Sequence, residues 1–384
     1  MTIRCSGGVV LMTHEILNNV RKNLQAITPY SPGKPISDVK REYGLKDVIK
    51  LASNENPVGP SKKAQEAILT ALGSLHRYPD GGAVDLKAAL AAKYSIPTGQ
   101  ILVGNGSDEC IKMISETFLN PGDEVVVPSP SFSQYWFGTQ VMAGTSVQVP
   151  LLDGFQYDLD AMLAAVTDKT KLLYLCSPNN PTGTYIRKDE LRHFLDQVPS
   201  HVLVILDEAY IEYATADDVA SGIDFLKEGY NVLVMRTFSK MYALAALRIG
   251  YVFCREEIAT EINRVREPFN VNTLAQVAAV AALGDEEHVE TSRALNSSGY
   301  EQLTKGLEAL GFSHIPTQAN FLIFDTKLND KELFQLLLEK GIIARSGTAL
   351  GAPGYLRVTI GSSEENQLFL NALELVVSKL RQKV

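Results

Sequence analysis

The sequence is poor in cysteine and histidine, and neither residue type is grouped. The four cysteines contain no Cys-x-x-Cys pair and are scattered along the chain, at Cys5, Cys110, Cys176 and Cys254. The six histidines show no spacing typical of metal ligands. These features argue against a structural metal and against a disulfide framework, and they favour a reducing cytoplasm.

Long apolar runs and blocks of one charge are absent too. No apolar stretch approaches the roughly 20 residues that a membrane-spanning helix needs, and Cys5–Met12 is too short and too weakly apolar for a secretory signal. The net charge is −8 with basic and acidic residues interspersed, which argues against a nucleic-acid-binding surface. With 384 residues, 45% of them hydrophobic, the chain can bury a substantial core and is expected to form roughly two or three domains.

Lys240 stands out because of the residues around it. It follows the apolar run Val232–Met235 and the hydroxyl-bearing Thr237 and Ser239, and Arg248 lies eight residues further on. A lysine in such a place can form a Schiff base with a phosphorylated aldehyde, provided that burial and nearby positive charge lower the pKa of its amine. The hydroxyls and the guanidinium would then hold the phosphate. The alternative is a surface lysine that follows a strand, which is the commoner case for a lysine considered alone.

Polar side chains follow two further apolar runs. The run 202–206 ends at Asp207, with Tyr210 three residues later, and a second run leads into the Asn-Pro-Thr-Gly turn that contains Asn180. Such runs are typical of buried parallel strands, whose carboxyl ends bind ligands in open α/β sheets. Asp207 could pair with a protonated pyridine nitrogen, while Tyr210 and Asn180 could bond a phenolic oxygen on the same ring. An acidic residue at a strand end and an ordinary Asn-Pro turn are the alternatives.

The segment Ile101–Glu109 predicts a strand, a glycine turn and the start of a helix. Free backbone N–H groups and the helix dipole favour a phosphate at such a place, beside Gly106 and Ser107. The spacing is not that of a dinucleotide-binding fingerprint, because the third glycine is missing, and the chain has no Gly-x-x-x-x-Gly-Lys loop. A helix that is simply well capped by Ser107 or Asp108 is the alternative.

The order and spacing of these motifs resemble the fold-type I, pyridoxal-phosphate-dependent aminotransferases. The glycine turn, Pro130-Ser131-Phe132, Asn-Pro-Thr-Gly, Asp-x-x-Tyr and Ser-Lys follow one another, and the resemblance extends from about residue 27 to the C-terminus. It implies pyridoxal 5′-phosphate as cofactor and a homodimer with shared active sites. Similar proteins often have glycine where this chain has Ala243 and Ala246, and we expect alanine to keep the helix there with only local repacking.

The resemblance also implies roles for individual residues. It makes Lys240 the Schiff-base lysine, with Asp207 on the pyridine nitrogen, Asn180 and Tyr210 on the phenolic oxygen, and Phe132 stacked on the ring. The implied phosphate and cofactor contacts are Gly106, Ser107, Asp108, Thr237, Ser239, Arg248 and, from the neighbouring subunit, Tyr78.

Four further segments are similar to those of histidinol-phosphate aminotransferases, at 30–41, 50–57, 345–351 and 355–361. Arg357 matches the arginine that takes the substrate's acidic group, and Arg345 matches a second arginine used for the substrate phosphate. Two guanidinium groups suit a phosphate dianion, whereas one suits a carboxylate. Tyr30 and Asn54 are expected to line the same pocket. The alternative for Arg345 is a salt bridge at the surface or at an interface.

The expected reaction is the reversible transfer of an amine from L-histidinol phosphate to 2-oxoglutarate, giving imidazole acetol phosphate and glutamate. A pocket that accepts imidazole could also accept a phenyl ring, so an aromatic amino-acid aminotransferase or a dual-specificity enzyme is the nearer alternative. A regulator that binds pyridoxal phosphate without catalysis is the more distant one. The intact Lys240, Asp207 and Asn180 argue against it, because a sensor needs neither a proton carrier nor an electron sink.

The predicted architecture is α/β, with a large domain, whose mainly parallel seven-stranded sheet is covered by helices, and a smaller α+β domain. We expect an N-terminal extension over residues 1–35, a large cofactor-binding domain over 60–280, and a small domain from 36–59 and 281–384. The large-domain strands are predicted at 101–104, 123–128, 146–150, 171–176, 202–206, 231–235 and 249–254. The last of these follows its predecessor with no helix between them, which favours antiparallel pairing.

Overall fold

Twelve strands and thirteen α-helices are found in residues 15–29 and 33–381, which the computed structural model of the protein describes. The strands are β1 (Ile49–Lys50), β2 (Ile101–Gly104), β3 (Glu124–Ser129), β4 (Thr145–Pro150), β5 (Thr170–Cys176), β6 (Leu203–Asp207), β7 (Val232–Thr237), β8 (Gly250–Phe253), β9 (Phe321–Asp325), β10 (Ile342–Ile343), β11 (Arg345–Ser346) and β12 (Tyr355–Thr359). The helices are α1 (Ile36–Tyr43), α2 (Lys62–Ala71), α3 (Val84–Tyr94), α4 (Gly106–Phe118), α5 (Gln134–Val141), α6 (Leu159–Ala164), α7 (Lys188–Leu195), α8 (Gly222–Lys227), α9 (Glu256–Ile262), α10 (Thr273–Leu283), α11 (Glu286–Ala309), α12 (Asp330–Glu339) and α13 (Ser363–Arg381).

The central sheet has seven strands in the order β2-β8-β7-β6-β5-β3-β4. Neighbouring strands from β7 to β4 are parallel, whereas β8 pairs antiparallel with both β2 and β7. Each of the seven segments predicted from the sequence overlaps one of these strands. The antiparallel pairing expected for the last of them is confirmed.

The parallel strands are stable as strands because their apolar residues alternate between two hydrophobic layers. On β5, Leu173 and Leu175 pack into one buried cluster, while Leu172 and Tyr174 pack into another. Helix α10 contributes to the first cluster and α4 to the second. Strands covered on both faces have almost continuous apolar sequences, which explains why their positions were predictable.

The register of the sheet brings the predicted motifs to one edge. Cys176, the last residue of β5, pairs with Asp207, the last residue of β6, and Asp207 pairs in turn with Met235 of β7. Lys240 lies three residues beyond the end of β7. Because these strands are parallel, the loops that follow them share the carboxyl edge of the sheet, where ligands bind in this architecture.

A smaller antiparallel sheet, in the order β11-β12-β9, packs with α11, α12 and α13 around a second core. Leu303, Phe324 and Phe369 are fully buried in this core. Strand β1 pairs in parallel with β10 and so attaches the segment before α2 to this part of the structure.

For the C-terminal region the sequence predicts strands at 320–324 and 356–360 and helices at 273–283, 330–340 and 364–380. These segments overlap β9, β12, α10, α12 and α13. Strands β1, β10 and β11 were not predicted. Two residues are too few to show a strand period, so the sequence has no signal for them. The domain boundaries near residues 59 and 280 stay a prediction.

Candidate active site

A cleft of about 760 Å³ opens at the carboxyl edge of the central sheet. Residues from the sheet, from the segment after β1 and from the smaller sheet line it together. Its walls contain most of the residues that the sequence predicted: Asn54, Ser107, Asp108, Phe132, Asn180, Asp207, Tyr210, Thr237, Ser239, Lys240, Arg248, Arg345 and Arg357.

Lys240 is held in the cleft by a backbone carbonyl on another segment. Its Nζ donates a hydrogen bond to the carbonyl oxygen of Ser53 at 3.0 Å and lies 5.7 Å from the centre of the Tyr210 ring. Burial, together with the positive charges of Arg357 and Arg248, lowers the pKa of Lys240 to about 8. A substantial fraction of the amine is therefore neutral near physiological pH and can act as a nucleophile or accept a proton.

Asp207 is a buried carboxylate, with 3% of its surface exposed. Its Oδ2 accepts a hydrogen bond from the hydroxyl of Tyr135 at 2.7 Å, and its Oδ1 accepts one from the backbone N–H of Ala209 at 3.1 Å. Burial raises its pKa to about 6, although both hydrogen bonds favour the ionised form. A cationic partner in the cleft, such as a protonated pyridine, would stabilise this carboxylate further.

Asn180 and Tyr210 are fixed by neighbours that occupy an acceptor on each and leave a donor group on each. Oδ1 of Asn180 accepts a hydrogen bond from Nη1 of Arg357 at 2.5 Å, so its amide nitrogen is the group left to donate to a ligand. The hydroxyl oxygen of Tyr210 accepts from Nδ2 of Asn54 at 2.9 Å, which leaves the Tyr210 proton for an acceptor. Asn54 therefore supports Tyr210 in addition to lining the cleft.

The start of α4 forms a cradle for an anion. The side chain of Asn105, which precedes the helix, does not cap it, and Ser107 and Asp108 of the first turn line the cleft. Gly106 has φ of 80°, and a Cβ there would lie 2.6 Å from Nη2 of Arg248. Arg248 also contacts Asp108 at 3.0 Å. A helix N-terminus combined with a guanidinium suits a phosphate ester.

The hydroxyl side of this cradle comes from the loop after β7. The backbone N–H of Ser239 donates to Oγ1 of Thr237 at 3.1 Å, and both residues line the cleft. This bond shapes the loop that turns Ser239 and Lys240 towards the same space. The cradle and Lys240 thus offer a phosphate site and an amine within one cleft, which fits a phosphorylated aldehyde.

Arg345 and Arg357 lie directly opposite each other on β11 and β12. Opposed residues of an antiparallel pair share one face of the sheet, and both arginines line the cleft. Nη2 of Arg357 donates to the carbonyl oxygen of Ala52 at 2.6 Å, and its guanidinium stacks 5.2 Å from the centre of the Phe321 ring. Two positive groups side by side favour a ligand with more than one negative charge.

Of the predicted residues that the structure describes, Gly106 and Tyr78 do not line the cleft of this single chain. Tyr78 is 82% exposed and stacks on Phe269, with ring centroids 4.7 Å apart. Tyr30 lies outside the described residues. Phe132 lines the cleft and meets Tyr135 edge-on at 5.6 Å between centroids.

The expectation that alanine keeps a helix at position 243 is wrong. Ala243 has φ of 55° and precedes the short 3-10 helix Ala245–Leu247, in which Ala246 lies. The left-handed conformation costs an L-residue about 1–2 kcal/mol, a cost that glycine avoids. The backbone at position 243 therefore suits glycine, the residue that the resemblance led us to expect there.

Sequence reasoning missed three contributors to the cleft. They are the Ser53 carbonyl that holds Lys240, the hydroxyl of Tyr135 that holds Asp207, and Trp136 on the wall formed by α5. Tyr135 lies three residues after Phe132, and closeness in sequence to a predicted cofactor residue was its only signal.

The family model described as "aminotransferase class I and II" matches residues 46–373. The chain belongs to this family. The aminotransferase is 50% identical to the histidinol-phosphate aminotransferase of Moorella thermoacetica over 359 residues, which cover 93% of each chain.

Solved structures agree with the family assignment and the fold. The aminotransferase resembles the histidinol-phosphate aminotransferase of Sinorhizobium meliloti in complex with pyridoxal-5′-phosphate, with a TM-score of 0.85, 27% identity, and 94% and 97% of the two chains covered. It also resembles the aspartate aminotransferase of Thermus thermophilus with maleate, with a TM-score of 0.82, 26% identity and coverage of 93% and 99%. The predicted fold type is therefore confirmed.

The described part of the aminotransferase has neither a metal site nor a membrane-spanning helix. Within residues 15–29 and 33–381, no group of three or more histidine, cysteine, aspartate or glutamate side chains could hold a metal ion. In the same residues, no helix combines the length and the apolar character that crossing a membrane requires.

Proposed function

We propose that this aminotransferase uses pyridoxal 5′-phosphate to transfer an amine between L-histidinol phosphate and 2-oxoglutarate, which gives imidazole acetol phosphate and glutamate. The observation that carries the proposal is the opposed pair Arg345 and Arg357, which shares a cleft with Lys240 and Asp207. The 50% identity to the Moorella thermoacetica enzyme supports the same substrate.

The cofactor would be held at both ends of its ring system. When bound, pyridoxal phosphate supplies an aldehyde that combines with amines and a pyridine ring that withdraws electrons. The start of α4 and the guanidinium of Arg248 would hold its phosphate, and Asp207 would keep its ring nitrogen protonated. Asn180 and Tyr210, each with a donor group left, would bond its phenolic oxygen.

Lys240 would first bind the cofactor aldehyde. Once the substrate amine has displaced the lysine amine, Lys240 would carry a proton. Nζ of Lys240 would take a proton from the substrate carbon that bears the amine and would deliver it to the carbon through which the cofactor aldehyde reacts. Because burial and the neighbouring arginines lower its pKa to about 8, the neutral form needed for this step is accessible near neutral pH. The carbonyl oxygen of Ser53 keeps the amine in the cleft between the two events.

The two arginines would select the substrate. A phosphate monoester carries about −1.5 to −2 charges at pH 7 and offers three acceptor oxygens, which one guanidinium cannot satisfy. Arg357 and Arg345 together can supply two forked sets of donors from adjacent strands. An amino acid such as phenylalanine presents only a carboxylate, for which Arg357 suffices.

The deciding measurement is kcat/KM for L-histidinol phosphate and for L-phenylalanine, each with 2-oxoglutarate as acceptor. A strong preference for the phosphate ester is expected. Comparable or better use of phenylalanine would mean an aromatic or dual-specificity aminotransferase instead. Loss of the cofactor's absorbance band on adding an amino donor separates an enzyme from a regulator that only binds the cofactor.

Lys240→Ala is expected to abolish transamination, because no other described amine in the cleft can replace Nζ. The variant should still bind pyridoxal phosphate through the phosphate cradle and Asp207. Arg192→Ala, on the outer helix α7, serves as a control for the loss of one positive charge. Full activity of Lys240→Ala would contradict the proposed proton transfer.

We further propose that two copies of the chain form a homodimer in the cytoplasm, and that Tyr78 of one copy completes the phosphate site of the other. Tyr78, Phe269, Leu75 and Val84 are large apolar residues with 46–82% of their surface exposed, which is typical of a surface that another chain covers. The described cysteines Cys110, Cys176 and Cys254 are free and buried, which suits a reducing compartment.

Mixing inactive variants tests the shared site. Lys240→Ala and Tyr78→Ala, once their subunits have exchanged, should recover activity above the sum of the separate proteins, because one site of each mixed dimer has both residues intact. Lys240→Ala mixed with Arg357→Ala is the matched control, since both residues belong to one chain's cleft and should not complement. Absence of recovery in a confirmed mixed dimer would contradict the role of Tyr78.

A further inference from the structure

We propose that Tyr135 is a positioning residue that fixes the Asp207 carboxylate for the ring nitrogen of the cofactor and, through Phe132, fixes the face of the same ring. The inference rests on the proposed use of pyridoxal phosphate. It gives a role in that function to Tyr135, which lies outside the sequence motifs described above.

The geometry around Tyr135 connects two parts of the predicted cofactor site. Its hydroxyl donates to Oδ2 of Asp207 at 2.7 Å, and its ring meets the Phe132 ring edge-on at 5.6 Å. Tyr174 also stacks on the Tyr135 ring, with 4.4 Å between the ring centroids and an angle of 14° between the planes. Tyr135 is 1% exposed, so its ring cannot turn away without opening the core.

The direction of the hydrogen bond is fixed by chemistry. Burial and the nearby Asp207 charge raise the pKa of Tyr135 well above its usual value, so the phenol stays protonated and donates. Asp207 therefore faces it as an acceptor, which favours the carboxylate over the carboxylic acid. An ionised Asp207 is what a protonated pyridine nitrogen requires.

The other charged and titratable groups near Asp207 cannot stabilise its carboxylate in place of the Tyr135 hydroxyl. Asp108 of α4 and Glu208 at the same strand end raise the pKa of Asp207 by like-charge repulsion. The thiol of Cys176 on β5 is neutral, because burial raises its pKa beyond the physiological range. Tyr135 and the backbone N–H of Ala209 are the donors that oppose these effects.

Tyr174 provides a matched control. It is also a fully buried tyrosine, and it stacks directly on Tyr135. Its hydroxyl is near Ser115, whereas the hydrogen bonds to Asp207 come from Tyr135 and Ala209. Tyr174→Phe therefore removes the same atom from the same aromatic stack without touching Asp207, whereas Tyr135→Phe removes the hydrogen bond.

The test measures ligand binding to the cofactor-free protein. Trp136 is the only tryptophan of the chain and lines the cleft, so its fluorescence reports binding. The ligands are pyridoxal 5′-phosphate and its analogue with C–H in place of the ring nitrogen. Tyr135→Phe should weaken binding of pyridoxal phosphate about ten-fold, the usual effect of losing a hydrogen bond to a charged group. Its affinity for the analogue should stay within about two-fold, as should both affinities of Tyr174→Phe.

A second variant gives an independent measurement. In an Asp207→Asn background, Tyr135→Phe should cause little further loss of pyridoxal phosphate affinity, because the two residues act through one contact. Equal losses for both ligands, no loss for either, or additive losses in the double variant would overturn the proposal. So would unfolding of Tyr135→Phe but not of Tyr174→Phe, since the contact would then serve folding. If the wild-type protein does not bind pyridoxal phosphate, the proposed function itself fails.

Discussion

Replacing Arg345 by alanine should remove the preference for a phosphate ester while sparing amino-acid substrates. Arg345 and Arg357 lie opposite each other on one face of the β11–β12 pair. Arg357 has further support from Asn180 and from the Ala52 carbonyl, so it should keep its position in the variant. A carboxylate would still find one guanidinium, but a phosphate dianion would lose half of its partners.

The expected magnitude follows from the exposure of Arg345. A hydrogen bond to a charged group contributes about 1.5–3 kcal/mol, and solvent screening favours the lower part of that range for a side chain that is only half-buried. A loss of about 2 kcal/mol in transition-state binding corresponds to a roughly 30-fold decrease in kcat/KM for L-histidinol phosphate. L-phenylalanine has no phosphate, so its kcat/KM should fall by less than about three-fold.

Steady-state kinetics with both amino donors measures this difference directly. Lys305→Ala is the control, because Lys305 is an exposed cation on α11 and its loss changes the net charge equally. Its two kcat/KM values should match those of the wild type. Equal decreases for both donors in Arg345→Ala, or no decrease for the phosphate ester, would refute the assignment of Arg345 to the substrate phosphate.

Three substitutions test other parts of the structure. Gly106→Ala should weaken cofactor binding about ten-fold, because φ is 80° and the added Cβ would lie 2.6 Å from Nη2 of Arg248; fluorescence titration measures this, and unchanged affinity would argue against the cradle. Ala243→Gly should raise the free energy of unfolding by about 1 kcal/mol, since its φ of 55° suits glycine; a lower urea midpoint than wild type would contradict this. Asp330→Asn should lower the free energy of unfolding by about 1–2 kcal/mol at pH 7, because the carboxylate accepts bonds from two hydroxyls and two backbone N–H groups. Burial would raise the pKa of Asp330, but these bonds outweigh it and lower the pKa, so the wild type should lose this advantage as the pH falls below about 4; a constant difference in urea midpoint down to pH 3 would contradict the assignment.

The central sheet was predictable because its strands are apolar runs separated by helices. The cofactor motifs were predictable for a related reason: each of them follows a strand directly, and parallel strands end at a common edge. Asp207, Lys240 and Asn180 could therefore be placed near one another before any distance was known. The pairing of Arg345 with Arg357 was not predictable, because β11 has only two residues and shows no period of its own.

Contacts between residues far apart in the chain could not be predicted from the sequence. Tyr135 and Asp207 are 72 positions apart, and nothing in either neighbourhood indicates the hydrogen bond between them. Asn54 was expected in the pocket, but its bond to Tyr210 depends on how the segment after β1 crosses the cleft. The left-handed conformation of Ala243 was missed because an alanine in a helix and an alanine in a turn look the same in a sequence.

The way in which the cleft is assembled has a consequence for synthesis of the chain. Arg357 bonds to Asn180, 177 positions earlier, and to Ala52, 305 positions earlier, while Lys240 bonds to Ser53 across 187 positions. A chain growing on the ribosome has made the phosphate cradle and Asp207 long before the strand that carries Arg357 emerges. A nascent chain that ends before Arg357 already contains the residues proposed to bind the cofactor, so we expect cofactor binding to precede substrate recognition during synthesis.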